Sequence, residues 1–165
     1  MRVYRFIMLA ALLAPLQGHA QDVESARAFT WGLYRAYEKG EPDYAGKQAP
    51  QTFAPHLLSL IRRDQAATQP GDVGILDGDP ICSCQDHGGM KATDVKIKAA
   101  SNGHVEAAVT LNFPDGVRLV RLDLQEVSGQ WRVADVHTKD TPSLVGLMEG
   151  ELAKEHGAGP QPASP

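Results

Sequence analysis

The chain has 165 residues, 42% of them hydrophobic and 22% charged, with a formal net charge of −4 at pH 7. No Lys/Arg run exceeds the Arg62-Arg63 pair, so the electrostatic footprint of a nucleic-acid binder is missing. The length suits one domain with a real core, without need of staples.

Met1–Ala20 reads as a Sec signal peptide. Arg2 and Arg5 make a basic n-region, Phe6–Leu16 is an apolar run interrupted by Pro15, and Gly18-His19-Ala20 offers small residues before a cut. The run is too short for a membrane-spanning helix with a stop-transfer flank. The expected mature chain starts at Gln21 as a periplasmic protein without membrane insertion, and with no Cys near the cut it carries no lipid anchor. Cleavage removes two Arg and no acid, lowering the net charge from −4 to −6.

The first predicted helix is capped by Asp22 and runs to about Lys39, with Gly40 at its end. Val23, Ala26, Phe29, Thr30, Leu33 and Tyr37 form its core stripe. Gly32 in mid-helix points to close packing against another element. Glu41–Gln51 reads as a polar loop, and a second helix starts at Ala54-Pro55, buries Leu57, Leu60 and Ile61, and is stopped by Pro70-Gly71.

Leu76–Asp86 (LDGDPICSCQD) then joins a helical half to a strand half and gathers both cysteines with three carboxylates. Downstream the period switches to two. Strands are expected around Val95–Ala99, Val105–Phe113, Val120–Gln125 and Gln130–His137, with turns at Asn102-Gly103, Pro114-Asp115-Gly116 and Ser128-Gly129. Thr141-Pro142 reads as the cap of a last helix to about Glu155, and a disordered tail follows over 156–165. The fold class is α+β: two N-terminal helices, a four-stranded curved antiparallel meander, and a C-terminal helix, with helices on one sheet face. A single domain over 21–155 is expected.

Several short motifs stand in a telling order: Phe53–Leu58, Asp79-Pro80, Gln85-Asp86, Trp131–Val136 and Ser143-Leu144. Together they resemble a family of unknown function made of exported bacterial envelope proteins with an NTF2-like fold, some of them lipoproteins. The resemblance covers most of Asp22–Leu152. It implies a cone of curved sheet closed by helices with a cavity at its mouth, and no reaction, because such folds serve enzymes and binding modules alike.

The candidate polar cluster is Asp79, Gln85, Asp86, Asp135 and His137. On a regular strand, Asp135 and His137 share a face with Trp131 and Val133. A carboxylate among apolar side chains has a raised pKa and suits general-base work. The structural alternative has Asp86 and Asp135 bracketing helix and turn N–H groups. Cys82 and Cys84 form a disulfide if the backbone bends, since two strand rises of roughly 6.5–7 Å lie at the long edge of disulfide geometry. Free thiols, and a soft-metal set with His87, remain open. Tyr34, Tyr37 and Trp131 are candidate pocket-lining residues or core.

Asp77-Gly78-Asp79 does not begin an EF-hand, because Pro80 and Ile81 replace oxygen ligands and Gly88 holds the twelfth position. No cofactor fingerprint or assigned metal set occurs, and no catalytic motif is present. The expectation is a non-enzymatic module that binds an envelope protein partner, of accessory or immunity type, or a small apolar ligand. The alternative is a small-ligand enzyme or thiol-redox or metal protein that uses the polar cluster.

Overall fold

A computed structural model describes residues 17–40, 42–99 and 104–157. Residues 1–16, the Asn102-Gly103 turn and the tail from residue 158 lie outside the described residues. The chain runs α1 (Gln17–Ala36), a 3-10 turn (Tyr37–Lys39), α2 (Ala49–Thr52), α3 (Pro55–Ala67), β1 (Lys91–Ala99), β2 (His104–Phe113), β3 (Gly116–Val127), β4 (Gln130–His137) and α4 (Leu144–Gly157). The α+β class and the four-stranded antiparallel meander are as expected. The helix layout is not: α2 is an additional short helix inside the segment read as loop, and helical backbone begins before Asp22. No Pro lies between Gln17 and Asp22 to stop it. Among the described residues no helix is long and apolar enough to cross a membrane.

On α1, Ala26, Thr30, Leu33 and Tyr34 are buried, as is Tyr37 in the 3-10 turn. The buried Thr30 hydroxyl donates to the Ala26 carbonyl at 2.8 Å, so no polar atom is orphaned there. Gly32 corrects its expectation: it is exposed, and a Cβ built on it meets nothing within 4 Å. It stands on the solvent side of the helix, with no packing partner among the described residues.

The sheet order is β1-β2-β3-β4. Val95 pairs with Val109 and Val109 with Val120, while Ala107 pairs with Leu122 and Leu122 with Val136. Strand alternation puts these side chains on one face, and all of them are buried. The ends are joined as sequence chemistry dictates: Ser128 and Gly129 both take positive φ (52° and 76°), as a two-residue hairpin of the primed type requires. Helix α1 packs across β1 and β2, whereas α2, α3 and α4 meet β4. Phe53, between α2 and α3, forms a parallel bridge with Val133, and the Ala54 N–H donates to the Val133 carbonyl at 2.8 Å. Phe53, Leu57, Leu60 and Ile61 thereby meet Leu122, Leu124, Met148 and Leu152 in one core.

Candidate functional site

The joint between α3 and β1 has no regular secondary structure, so its backbone polar groups need outside partners. Asp64, on α3 and only 4% exposed, supplies two: its carboxylate accepts the N–H groups of Ile75 (2.8 Å) and Leu76 (3.0 Å). The chain passes so close that a Cβ on Gly74 would lie 2.9 Å from the Asp64 carboxylate oxygens and 2.7 Å from Thr68 Oγ1. From α1, the Tyr34 hydroxyl donates to the Ile81 carbonyl at 2.8 Å. From the 3-10 turn, the Tyr37 hydroxyl donates to Asp79 Oδ2 at 2.6 Å. Asp79 Oδ1 accepts the Ile81 N–H at 2.8 Å. The Tyr44 hydroxyl closes the network on the Leu33 carbonyl.

Burial, reinforced by the Asp79 charge, pushes the hydroxyls of Tyr34, Tyr37 and Tyr44 well above the ordinary phenol range. Burial also raises the Asp79 carboxyl pKa, against the lowering effect of its donors Tyr37, Ile81 and Cys82 and of the nearby His87. Both Asp79 oxygens are engaged inside the protein. Tyr34 and Tyr37 are therefore buried in the core, with hydroxyls that hold the joint. Trp131, half-buried, donates from Nε1 to Ser25 Oγ at 2.9 Å and ties β4 to α1.

Asp79 and Cys84 pair through backbone bonds of 2.9 and 3.3 Å, and the turn between them bends at Ser83, whose φ is +50°. This bend brings the Cys82 and Cys84 Cα atoms to 5.2 Å and their sulfurs within bonding distance. Gly78 is needed under this turn, since a Cβ there would lie 2.8 Å from the Cys84 carbonyl oxygen. Cys82 is fully buried. His87 turns its ring to Tyr37, with centroids 5.3 Å apart, and joins neither cysteine in a metal-ligating group.

Gln85 Nε2 donates to Asp77 Oδ2 at 3.2 Å on the surface. Asp86 is exposed and accepts the N–H of Gly88 at 2.7 Å, a turn within its own neighbourhood. Asp86 is thus not a bracket between elements, and it does not converge with Asp135 and His137.

Asp135 does bracket. Its Oδ1 accepts the N–H groups of Val136 (2.8 Å) and Val145 (2.9 Å), and its Oδ2 accepts the Ser143 hydroxyl (2.6 Å). Ser143 Oγ in turn accepts the Gly146 N–H at 2.9 Å. The cap of α4 is therefore Ser143 with Asp135 behind it, not Thr141-Pro142. A register shift between Asp123 and Leu124 leaves Ala134 as the extra residue in β4. That bulge breaks the simple alternation: Asp135 and His137 share a face with each other, but on the opposite side from buried Val133.

His137 Nε2 lies 3.0 Å from Asp123 Oδ2 and 3.8 Å from Asp135 Oδ2, and Nδ1 lies 2.5 Å from the Pro142 carbonyl oxygen. Burial alone lowers the His137 pKa, but the Pro142 carbonyl and the two carboxylates outweigh it and leave the pKa raised.

Beside this cluster runs a groove. One wall is the joint, with Leu76, Asp79, Ser83 and Cys84; the other is Val136, Thr138, Leu144 and Leu147. The groove continues over Val117–Arg121 and His137–Asp140 into a pocket of about 610 Å³, and Ser83, Arg118 and Thr138 belong to both parts. Val117 (70% exposed), Leu119 (57%) and Leu147 (40%) edge it. Arg118 is held by Asp115 at 2.8 Å and stacks over the Phe113 ring at 4.0 Å. Arg121 and Lys139 make no ion pair among the described residues.

Neither a family model nor a solved structure matches the chain. It is 26% identical over 136 residues to the uncharacterized protein YqhG of Escherichia coli strain K12, across 79% of this chain and 44% of that protein. The chain thus spans less than half the length of the curated relative it matches.

Proposed function

We propose that this chain is an exported periplasmic binding domain of NTF2-like architecture that works without catalysis, and that its groove takes an apolar segment of an envelope protein partner. One observation carries the reading. Of the four large hydrophobic side chains exposed among the described residues, three (Val117, Leu119 and Leu147) edge this one groove. Apolar surface left in water costs roughly 25 cal/mol per Å², and where it gathers at a concave site it marks an interaction surface. Arg121 and Lys139 on the same wall favour an acidic group beside the apolar segment.

The non-catalytic part of the reading rests on occupied carboxylates. Both oxygens of Asp79 and of Asp135 accept from protein donors, and Asp86 caps its own turn. The NTF2-like architecture is supported by the meander with bulges in β1 and β4 and by the family resemblance. Export is supported by the basic-then-apolar N-terminus. In that oxidising compartment Cys82 and Cys84 form a local disulfide; their 5.2 Å Cα separation lies within the usual range of about 4.4–6.8 Å. Thiol counting on denatured periplasmic protein should find none free, and two free thiols would remove that clip.

The binding reading is tested by native mass spectrometry of protein released gently from the envelope, for the natural chain and for Leu119→Asp. A bound polypeptide present on the first and lost from a folded second is expected. A bound apolar small molecule would replace the protein partner with a ligand, and equal retention by both chains would contradict the groove.

A further inference from the structure

We propose that His137, Asp123 and Asp135 bind a divalent first-row metal ion, with zinc as the test case. The three donor atoms, His137 Nε2 and one oxygen from each carboxylate, lie within 4.8 Å of one another. Two of the separations are 3.0 and 3.8 Å. Ligands about 2.0–2.2 Å from a tetrahedral ion stand roughly 3.2–3.6 Å apart, and the separations of 3.0 and 3.8 Å each fall within a few tenths of an ångström of that spacing.

A second observation comes from outside the triad. The Pro142 carbonyl oxygen, 2.5 Å from Nδ1, can only accept, so the ring hydrogen sits on Nδ1. In the neutral ring Nε2 then turns its lone pair toward the Asp123 and Asp135 carboxylates, an acceptor-to-acceptor contact that either a metal ion or a proton relieves. Ser143 occupies one lone pair of Asp135 Oδ2 and leaves another, so a cation set between Nε2 and the two carboxylates meets a lone pair from each. A histidine that donates its other nitrogen to a backbone carbonyl is the usual outer arrangement around a ligating imidazole, because it fixes the tautomer and the ring plane. Asp135 is held likewise, by Val136, Val145 and Ser143. His137 also lines the groove, which leaves an open side for water or a ligand atom. Arg121 is the cross-strand neighbour of His137, and its charge opposes the ion. The site does not depend on what the groove binds.

A proton on Nε2 is the rival cation, and the test separates the two. The full exported chain, stripped with a chelator, is titrated with zinc chloride near neutral pH by calorimetry. Zinc should bind with a stoichiometry of one and raise the melting temperature. Asp123→Asn and His137→Gln should each weaken binding by tenfold or more while remaining folded, and Arg121→Gln should tighten it. His56→Gln, which alters the exposed His56–Glu149 pair, should leave affinity unchanged. Absence of zinc binding by the folded natural chain would overturn the proposal, as would undiminished affinity in folded His137→Gln.

Discussion

Replacing Asp64 by Ala asks whether one buried carboxylate holds the joint in place. Asp64 is 4% exposed and accepts two backbone N–H groups at 2.8 and 3.0 Å, from Ile75 and Leu76. A hydrogen bond to a charged acceptor contributes about 1.5–3 kcal/mol, and an orphaned buried donor costs about 1–3 kcal/mol. These are two views of the same loss and do not add. Some rewetting of the partly exposed loop offsets it, so the net destabilisation should be about 2–4 kcal/mol. Asp64→Asn keeps one acceptor but turns an NH₂ toward the second N–H, and should lose about 2 kcal/mol. At about 3 °C per kcal/mol for a domain of this size, Asp64→Ala should melt roughly 6–12 °C lower. Urea denaturation checks the size, with the m-value held constant to confirm that only stability has changed. A loss under about 0.5 kcal/mol would refute the tether.

Further outcomes follow from the same geometry. Asp86→Ala should change stability by less than about 0.5 kcal/mol, because the residue is exposed and caps only its own turn. Gly74→Ala should cost about 1–3 kcal/mol in the same denaturation assay, since its Cβ would strike the Asp64 carboxylate. His137 gives a pH signature in metal-free protein. Its folded pKa is raised, so the fold binds more protons than the unfolded chain above the ordinary histidine value of about 6.5. Its contribution is thus complete at lower pH and fades as pH rises through the folded pKa. Thermal melts across that window should show the loss, and His137→Gln should flatten it; an unchanged slope would remove His137 as its source.

The parts of the fold legible in the sequence are those governed by local chemistry. The alternation of Val105, Ala107, Val109 and Leu111 and the Ser128-Gly129 turn gave the meander. Pro55 and the Leu57, Leu60, Ile61 stripe gave α3. The site was less legible because its geometry rests on long-range register. The Ala134 bulge moves Asp135 and His137 off the face of Val133, and no residue type in β4 announces it. Asp64 sits in a polar run, Arg62-Arg63-Asp64-Gln65, and reads as solvated until the joint folds back over it. Its local signal is helical spacing, seven, four and three residues after buried Leu57, Leu60 and Ile61. Asp123 alternates with Leu122 and Leu124 in β3, and only pairing to β4 brings it to His137. Val117 and Leu119 alternate with Arg118 and Val120, so both faces of that strand end carry apolar residues. That doubled pattern was the one sequence sign of an uncovered apolar edge.

The most direct test of the binding account is photo-cross-linking in the intact envelope. A photoreactive residue is placed at Leu119 or Leu147 in the groove, and at Lys96 on the exposed edge strand as a control. A discrete adduct of one size from both groove positions, absent from Lys96, is the predicted result. No adduct from either groove position, or the same adducts from all three, would contradict the groove as the working surface.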